Sequence, residues 1–221
     1  MATPIGNLGD LSPRAVEALT QAELWIVEDT RVSGKLASYL GLKKPMRILN
    51  DHSASFRVEK LVQEIERASC IALLSDGGTP VVSDPGAALI DACVAKSIAV
   101  EAIPGPCAAI LALSLSGFYG QRFAFLGFLG RKPKDIRSEL TPYQTSPLTL
   151  VLYESVHRLD TLVSEAYQSL GARRYAICRE LTKSHEQVFH AILPYRPTEE
   201  EVPRKGELTI VLEGLRKRPP I

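Results

Sequence analysis

Apolar residues along this chain fall into short continuous runs separated by stretches with helical spacing. Leu24-Trp25-Ile26-Val27, Met46-Arg47-Ile48-Leu49, Ile71-Ala72-Leu73-Leu74 and Ala99-Val100-Glu101-Ala102-Ile103 are runs of this kind. Short runs bounded by turn formers read as buried strands. Helical patterns lie between them. Ser12 is a good N-cap with Pro13 at the first helical position, and Val16 and Leu19 share a face. Ser33 to Leu40 closes at Gly41. Val58, Leu61, Val62 and Ile65 give Ser53–Ala68 a helical stripe, Ala87–Ala95 is another, and Pro104 to Ala109 turns into a helix through Ser116. Strands alternating with helices predict a mainly parallel α/β domain.

Gly117-Phe118-Tyr119-Gly120 is the best boundary in the pattern, dividing a domain over residues 1–117 from one over 121–221. Arg122–Leu129, Leu148–Tyr153, Tyr175–Cys178, Gln187–Leu193 and Glu207–Leu212 read as strands. Leu159, Leu162, Val163, Ala166, Tyr167 and Leu170 trace a helix stopped by Gly171. The second half is expected to hold a mixed sheet. Arg216 to Pro220 form a basic, proline-ended tail expected to fray.

One connection stands out. Ser75 to Gly86 links a strand to a helix through twelve residues of Gly, Pro, Ser, Thr, Asp and Val. Ordinary βα connections take two to six, and longer ones are usually functional. Gly77 and Gly78 allow close backbone approach, while Asp84-Pro85-Gly86 is read at least half as a helix cap. Other polar clusters also follow strands: Glu28 to Arg31, Pro104 to Ala108, Tyr153 to Ser155 and Arg179 to Glu186. Thr3 to Asp10 has the same turn-rich character with only Met1 and Ala2 ahead of it, so its feeding strand is absent, very short or lost to a late assigned start. Clusters at the strand ends of two domains predict a cleft site, each alone being readable as a solvated loop.

Composition narrows the picture. A formal net charge of +1 gives no global pull toward nucleic acid or an anionic membrane, so such a partner needs a local patch. Arg131, Lys132, Lys134 and Arg137 supply one candidate, which as a charge run is equally readable as a solvated loop. Cys70, Cys93 and Cys178 sit in apolar segments and read as core thiols of a reduced, cytoplasmic protein. No basic, apolar leader opens the chain, and no run approaches the ~20 apolar residues of a membrane span. Dinucleotide, P-loop, GxSxG, HExxH and zinc signatures are absent from the sequence, and no metal is suggested.

The ordered strings TPIGNLGDLS, EDTR, SDGGTPVVSDPG, IPGPCAA, FLGFL, YESVHRL, RELTKSHE and GELTIVLEG resemble the tetrapyrrole-methylase-fold methyltransferases, from Thr3 to Gly214. Within that family they are similar to the small-subunit (16S) ribosomal RNA (cytidine-2′-O) branch. The resemblance implies a two-domain class III methyltransferase fold, S-adenosylmethionine as cofactor, a homodimer, and 16S rRNA or the 30S ribosomal subunit as substrate. It implies cofactor contacts at Pro4, Asp76, Gly77, Gly78, Pro80, Val81, Val82, Pro104, Gly105, Cys107 and Ala108, with Tyr153, Leu181 and Gly206 from the second domain. Three departures are visible: no full strand precedes TPIGNL, Cys107 stands where the family has Ser, and little follows Gly214.

Methyl transfer to a 2′-hydroxyl needs two reactants held in line and a group to take the hydroxyl proton. Glu28, Asp29, Lys183 and Glu186 are candidates for that group, and Arg31 either binds a phosphate or pairs with Asp29. His185 beside Glu186 reads as a surface pair; His52 and His157 likewise, and His190 as strand filler. The rival readings are a small-molecule or tetrapyrrole methyltransferase of the same fold, and a ribosome-binding relative without turnover.

Overall fold

The computed structural model describes residues 1–50 and 55–216, so His52 and the tail residues Lys217 and Arg218 lie outside the described residues. The chain divides into two units, Met1–Cys107 and Ala108–Ile221.

The first unit is a parallel sheet covered on both faces. Its strands are β1 (Leu24–Val27), β2 (Met46–Ile48) and β3 (Ile71–Leu73), in the order β2-β1-β3. Alternation along β1 explains the layering. Trp25 and Val27 turn into one cluster with Leu19 of α1 (Pro13–Gln21) and Leu36 of α2 (Thr30–Tyr39). Ile26 turns the other way, onto Leu61 and Val62 of α3 (Ser55–Ile65) and Leu89 and Cys93 of α4 (Ala87–Ala95). A strand buried on both faces must be apolar throughout, which is why LWIV carries no polar residue. The buried Trp25 indole satisfies its one donor on the Leu19 carbonyl, 3.2 Å away.

Local signals placed most elements. Ser12 caps α1, its Oγ accepting from the Ala15 N–H at 3.2 Å. Three expectations are corrected. α2 begins at Thr30 instead of Ser33, because the Asp29 carboxylate accepts the Arg31 N–H and starts the helix a turn early. Ala99–Ile103 forms no strand; the backbone bond that ties it down runs from the Ala2 N–H to the Ile103 carbonyl. An apolar run becomes a strand only when a neighbour pairs with it along its length. Cys70 is exposed, in the turn before β3, whereas Cys93 and Cys178 are buried as expected.

The second unit carries a mixed sheet of order β4-β5-β8-β6-β7, only the β4·β5 pair being parallel. The strands are β4 (Phe123–Phe128), β5 (Thr149–Ser155), β6 (Arg174–Arg179), β7 (Gln187–Ile192) and β8 (Glu207–Leu212). One face packs on α6 (Pro133–Leu140) and α7 (Leu159–Leu170), through Leu150, Leu152, Tyr175, Ile177, Ile210 and Leu212. The alternate residues of β6, Ala176 and Cys178, turn to α5 (Ala108–Ser116), where the Cys178 Sγ lies 3.8 Å from the Ala112 carbonyl. The division at Cys107 thus falls ahead of α5, not at the Gly117–Gly120 turn. Gly117 does take φ +68 after the helix, but a turn signal carries no information about which sheet a helix covers.

Candidate active site

In a parallel sheet ligands gather at the carboxyl ends of the strands. In the first unit, three chain segments are knitted together beyond the carboxyl end of β3. Thr3 and Gly78 exchange two backbone bonds, Thr3 N–H to Gly78 O at 2.9 Å and Gly78 N–H to Thr3 O at 3.0 Å. The buried Ser75 hydroxyl donates to the Gly78 carbonyl, and the Thr3 hydroxyl donates to the Ser75 carbonyl. Thr79 Oγ1 donates to the Pro106 carbonyl at 3.0 Å, which attaches the Pro104–Ala108 turn to the same loop. Gly78 sits at φ +94, and a side chain at Gly105 would put its first carbon 2.9 Å from the Ala2 methyl. Glycine at those two positions is what lets the three segments close up.

Within that frame, Gly78 is buried, while Asp76, Pro80, Val82, Pro4 and Cys107 are partly covered. Gly77, Val81, Pro104 and Gly105 are exposed. Ala108, partly covered, is the first residue of α5. Val81 and Ser83 adopt φ +75 and +62, and Val81 is 40% exposed. A β-branched residue in the left-handed region is a backbone outlier of the kind that clusters at ligand sites. Gly86, at φ +130, is the N-cap of α4.

Asp29, Arg31 and Asp76 form one group. Asp76 Oδ1 accepts the Asp29 N–H at 3.1 Å. Arg31 clamps Asp29 through Nε at 3.0 and 3.1 Å and Nη2 at 2.5 Å. The hydrogen bond from Arg31 holds the Asp29 carboxyl at about 2. Burial pushes Asp76 upward, and the neighbouring Asp29 charge adds to it. Of the two readings of Arg31, the structure shows the pair. Glu28, at the end of β1, is half-buried beside them.

The second unit has its own constrained corner. Glu180 and Thr182 take φ +51 and +66, and Gly206 takes φ +100. Glu180 Oε1 accepts the Glu207 N–H at 2.9 Å and the Lys183 ammonium at 3.0 Å, while Lys183 also reaches Glu207 at 2.8 Å. Burial pulls the Lys183 ammonium down, but its two carboxylate partners outweigh that and leave it raised. Glu186 accepts the Thr182 N–H at 2.6 Å and so braces the turn. His185 contributes its carbonyl to Arg179 at 3.1 Å; the expected side-chain pair with Glu186 is replaced by these bonds. Leu181 is buried, and Tyr153 lies edge-on to Phe125 at 5.0 Å and tilted against Phe128 at 5.5 Å. His190 packs on Phe118 and bonds the Ser116 carbonyl, and His157 is exposed.

Of the basic segment, Arg131, Lys132 and Lys134 are exposed at the start of α6. Arg137 is held by Glu165 at 3.0 Å and Gln168 at 3.0 Å, fastening α6 to α7. Sequence reasoning missed the part played by Thr3, Ser75, Thr79 and Glu180. Thr3, Thr79 and Glu180 act on backbone groups far away in the chain, for which spacing gives no sign, and Ser75 closes its own loop on Gly78 three residues on.

The comparisons with known proteins follow from this geometry. The family model described as tetrapyrrole (corrin/porphyrin) methylases matches residues 2–194. The chain belongs to that family. It is a methyltransferase, and the two-unit α/β fold is the family's. A curated relative from Haemophilus influenzae, "ribosomal RNA small subunit methyltransferase I", is 42% identical over 218 residues, covering 97% of this chain and 77% of its own. The solved methyltransferase CobJ aligns with a TM-score of 0.70 at 15% identity, over 97% of this chain and 92% of that one. Uroporphyrin-III C-methyltransferase from Thermus thermophilus, solved with S-adenosyl homocysteine, aligns at 0.62 and 21% identity, over 93% and 92%. At such identities the last two share the fold alone and bring no tetrapyrrole substrate to this chain.

The loop residues fit a nucleoside-bearing sulfonium cofactor. Glycines at 77, 78 and 105 bring backbone close, Pro80, Val81 and Val82 offer an apolar edge, and Asp76 supplies a carboxylate next to them.

Proposed function

We propose that this methyltransferase transfers a methyl group from S-adenosylmethionine to the ribose 2′-hydroxyl of a cytidine in small-subunit ribosomal RNA. The observation that carries this reading is the 42% identity to a ribosomal RNA small subunit methyltransferase across 97% of the chain. Asp76, Gly77, Gly78, Pro80, Val81, Val82, Pro104, Gly105, Cys107, Ala108 and Pro4 hold the cofactor, and Tyr153, Leu181 and Gly206 are contacts proposed on resemblance. Bound there, the cofactor supplies an electrophilic methyl on a sulfonium centre. The chain supplies position and a proton acceptor.

Among the four candidate acceptors, Asp29 is a weak base because Arg31 keeps it ionised down to about 2. Lys183 is held as an ammonium by Glu180 and Glu207. Glu186 is engaged by the Thr182 N–H. Glu28, directly after β1 and half-buried, completes the set, and the acceptor is drawn from these four. Arg131, Lys132 and Lys134 meet RNA phosphates, with Arg137 positioning their helix. The 30S subunit as the substrate form and a homodimer as the working assembly belong to the same proposal.

The test is transfer of labelled methyl to 30S particles and to bare ribosomal RNA, with the product nucleotide mapped. Label is expected on a cytidine ribose. Label on a base, or none on either substrate, overturns the assignment.

A further inference from the structure

A cavity of about 340 Å³ lies away from the cofactor loop, lined by Arg47 of β2 and by Phe56, Arg57, Lys60, Leu61 and Glu64 of α3. The buried face of α3 consists of Leu61 and Val62, with Val58 and Ile65 partly covered. Phe56, Lys60 and Glu64, spaced by four, make a separate ridge, with Arg57 beside it. Phe56 is 76% exposed, more than any other large apolar side chain among the described residues. Arg47, exposed on the edge strand, faces this ridge and bonds Glu64 through Nε at 2.9 and 3.3 Å. One carboxylate thus stands against three cations, on a chain whose overall charge is only +1.

We propose that this surface is an RNA-contacting site, where an unpaired base stacks on Phe56 and adjacent phosphates meet Arg57, Lys60 and Arg47. A flat apolar ring ringed by cations suits a single-stranded nucleotide, since every base has a face to stack and every linkage a charge to neutralise. The cavity is at the lower end of the volumes that take small ligands, enough for a nucleoside. Its place in the fold agrees. α3 follows β2 in a parallel sheet, so its first turn starts from the same carboxyl edge that carries Glu28, Asp29 and Asp76. The inference rests on the reading that the substrate is RNA, and extends it to a contact no sequence motif marked.

The experiment measures binding of the full chain to a labelled single-stranded oligoribonucleotide by fluorescence anisotropy across a salt series. Phe56→Ala is expected to weaken binding about tenfold, as loss of one stacking partner does. Arg57→Gln with Lys60→Gln is expected to flatten the slope of log affinity against log salt by about 1.4, two phosphate contacts on a single strand. Calorimetry with S-adenosylmethionine is expected to give the wild-type affinity for both variants, separating this surface from the cofactor loop. If the wild-type chain binds RNA and the variants bind with the same affinity and salt slope, the inference is overturned while the proposed function stands. If sedimentation shows instead that Phe56→Ala only splits a dimer, with RNA affinity unchanged, the face is a self-association surface and the inference is again overturned. Failure of the wild-type chain to bind the oligoribonucleotide overturns this inference, while the proposed function is decided by the methyl-transfer assay.

Discussion

At the residue scale, the two aspartates at the strand ends are driven in opposite directions. Asp29 accepts bonds from a guanidinium and from a backbone N–H, so its carboxylate is favoured. With its folded value depressed to about 2, whatever it contributes to stability is present above the ordinary carboxylate range and is lost as pH falls through about 2. Asp76 is raised chiefly by burial, so its ionised form is a liability to the fold. That liability is present above its raised value and disappears once the group is protonated. Asp76→Asn keeps an oxygen for the Asp29 N–H and removes the charge. It should raise the melting temperature near neutral pH, with the gain fading in acid, while weakening S-adenosylmethionine roughly ten- to a hundredfold, as loss of a charged hydrogen bond does. Melting curves at two pH values and calorimetry check the pair of effects; an affinity equal to wild type would remove Asp76 from the cofactor site.

At the scale of the element, the loops are more strained than the helices and strands they join. The turn from β6 places Glu180 and Thr182 in the left-handed region, and Gly206 before β8 closes against the Glu180 side chain. A methyl group at Gly206 would lie 2.6 Å from Glu180 Cγ and Cδ at a φ of +100. Glu180 has little room to retreat, because it is held by the Glu207 N–H and by Lys183. Gly206→Ala is therefore expected to cost about 1–3 kcal/mol, read as a lower urea midpoint with an unchanged slope. A midpoint equal to wild type would show that Glu180 moves aside freely.

For the whole molecule, each unit is a sheet with helices on two faces, and stability resides in the clusters between those layers. Leu162 is 1% exposed in the cluster that joins α7 to the mixed sheet. Leu162→Ala should lower stability by about 2–5 kcal/mol, the transfer term plus an unfilled cavity. Denaturant unfolding followed by circular dichroism measures this; a loss under ~1 kcal/mol would mean the layer collapses to fill the space. Charge at this scale is nearly balanced, so any hold on RNA must come from patches such as Arg131–Lys134 and Arg57–Lys60 and not from the net field.

The sequence by itself determined the alternation of strands and helices, the Ser12 and Gly171 helix boundaries, and the family, because caps, short apolar runs and ordered motifs are local properties. It also marked Ser75–Gly86 by length and glycine content alone. Tertiary structure decided what pairing and packing at a distance decide. Ala99–Ile103 is apolar enough for a strand but acquires one backbone tie, from Ala2. α5 ends where Gly117 predicts, yet which sheet it covers depends on β5, β6 and β8, strands that come later in the chain. Arg31 carried two readings until Asp29 was seen to accept it, and Arg137 looked like a phosphate ligand until Glu165, on another helix, took it up. The exposure of Phe56 is of the same kind: its spacing says helix, and only the packing of Leu61 and Val62 leaves its ring facing outward.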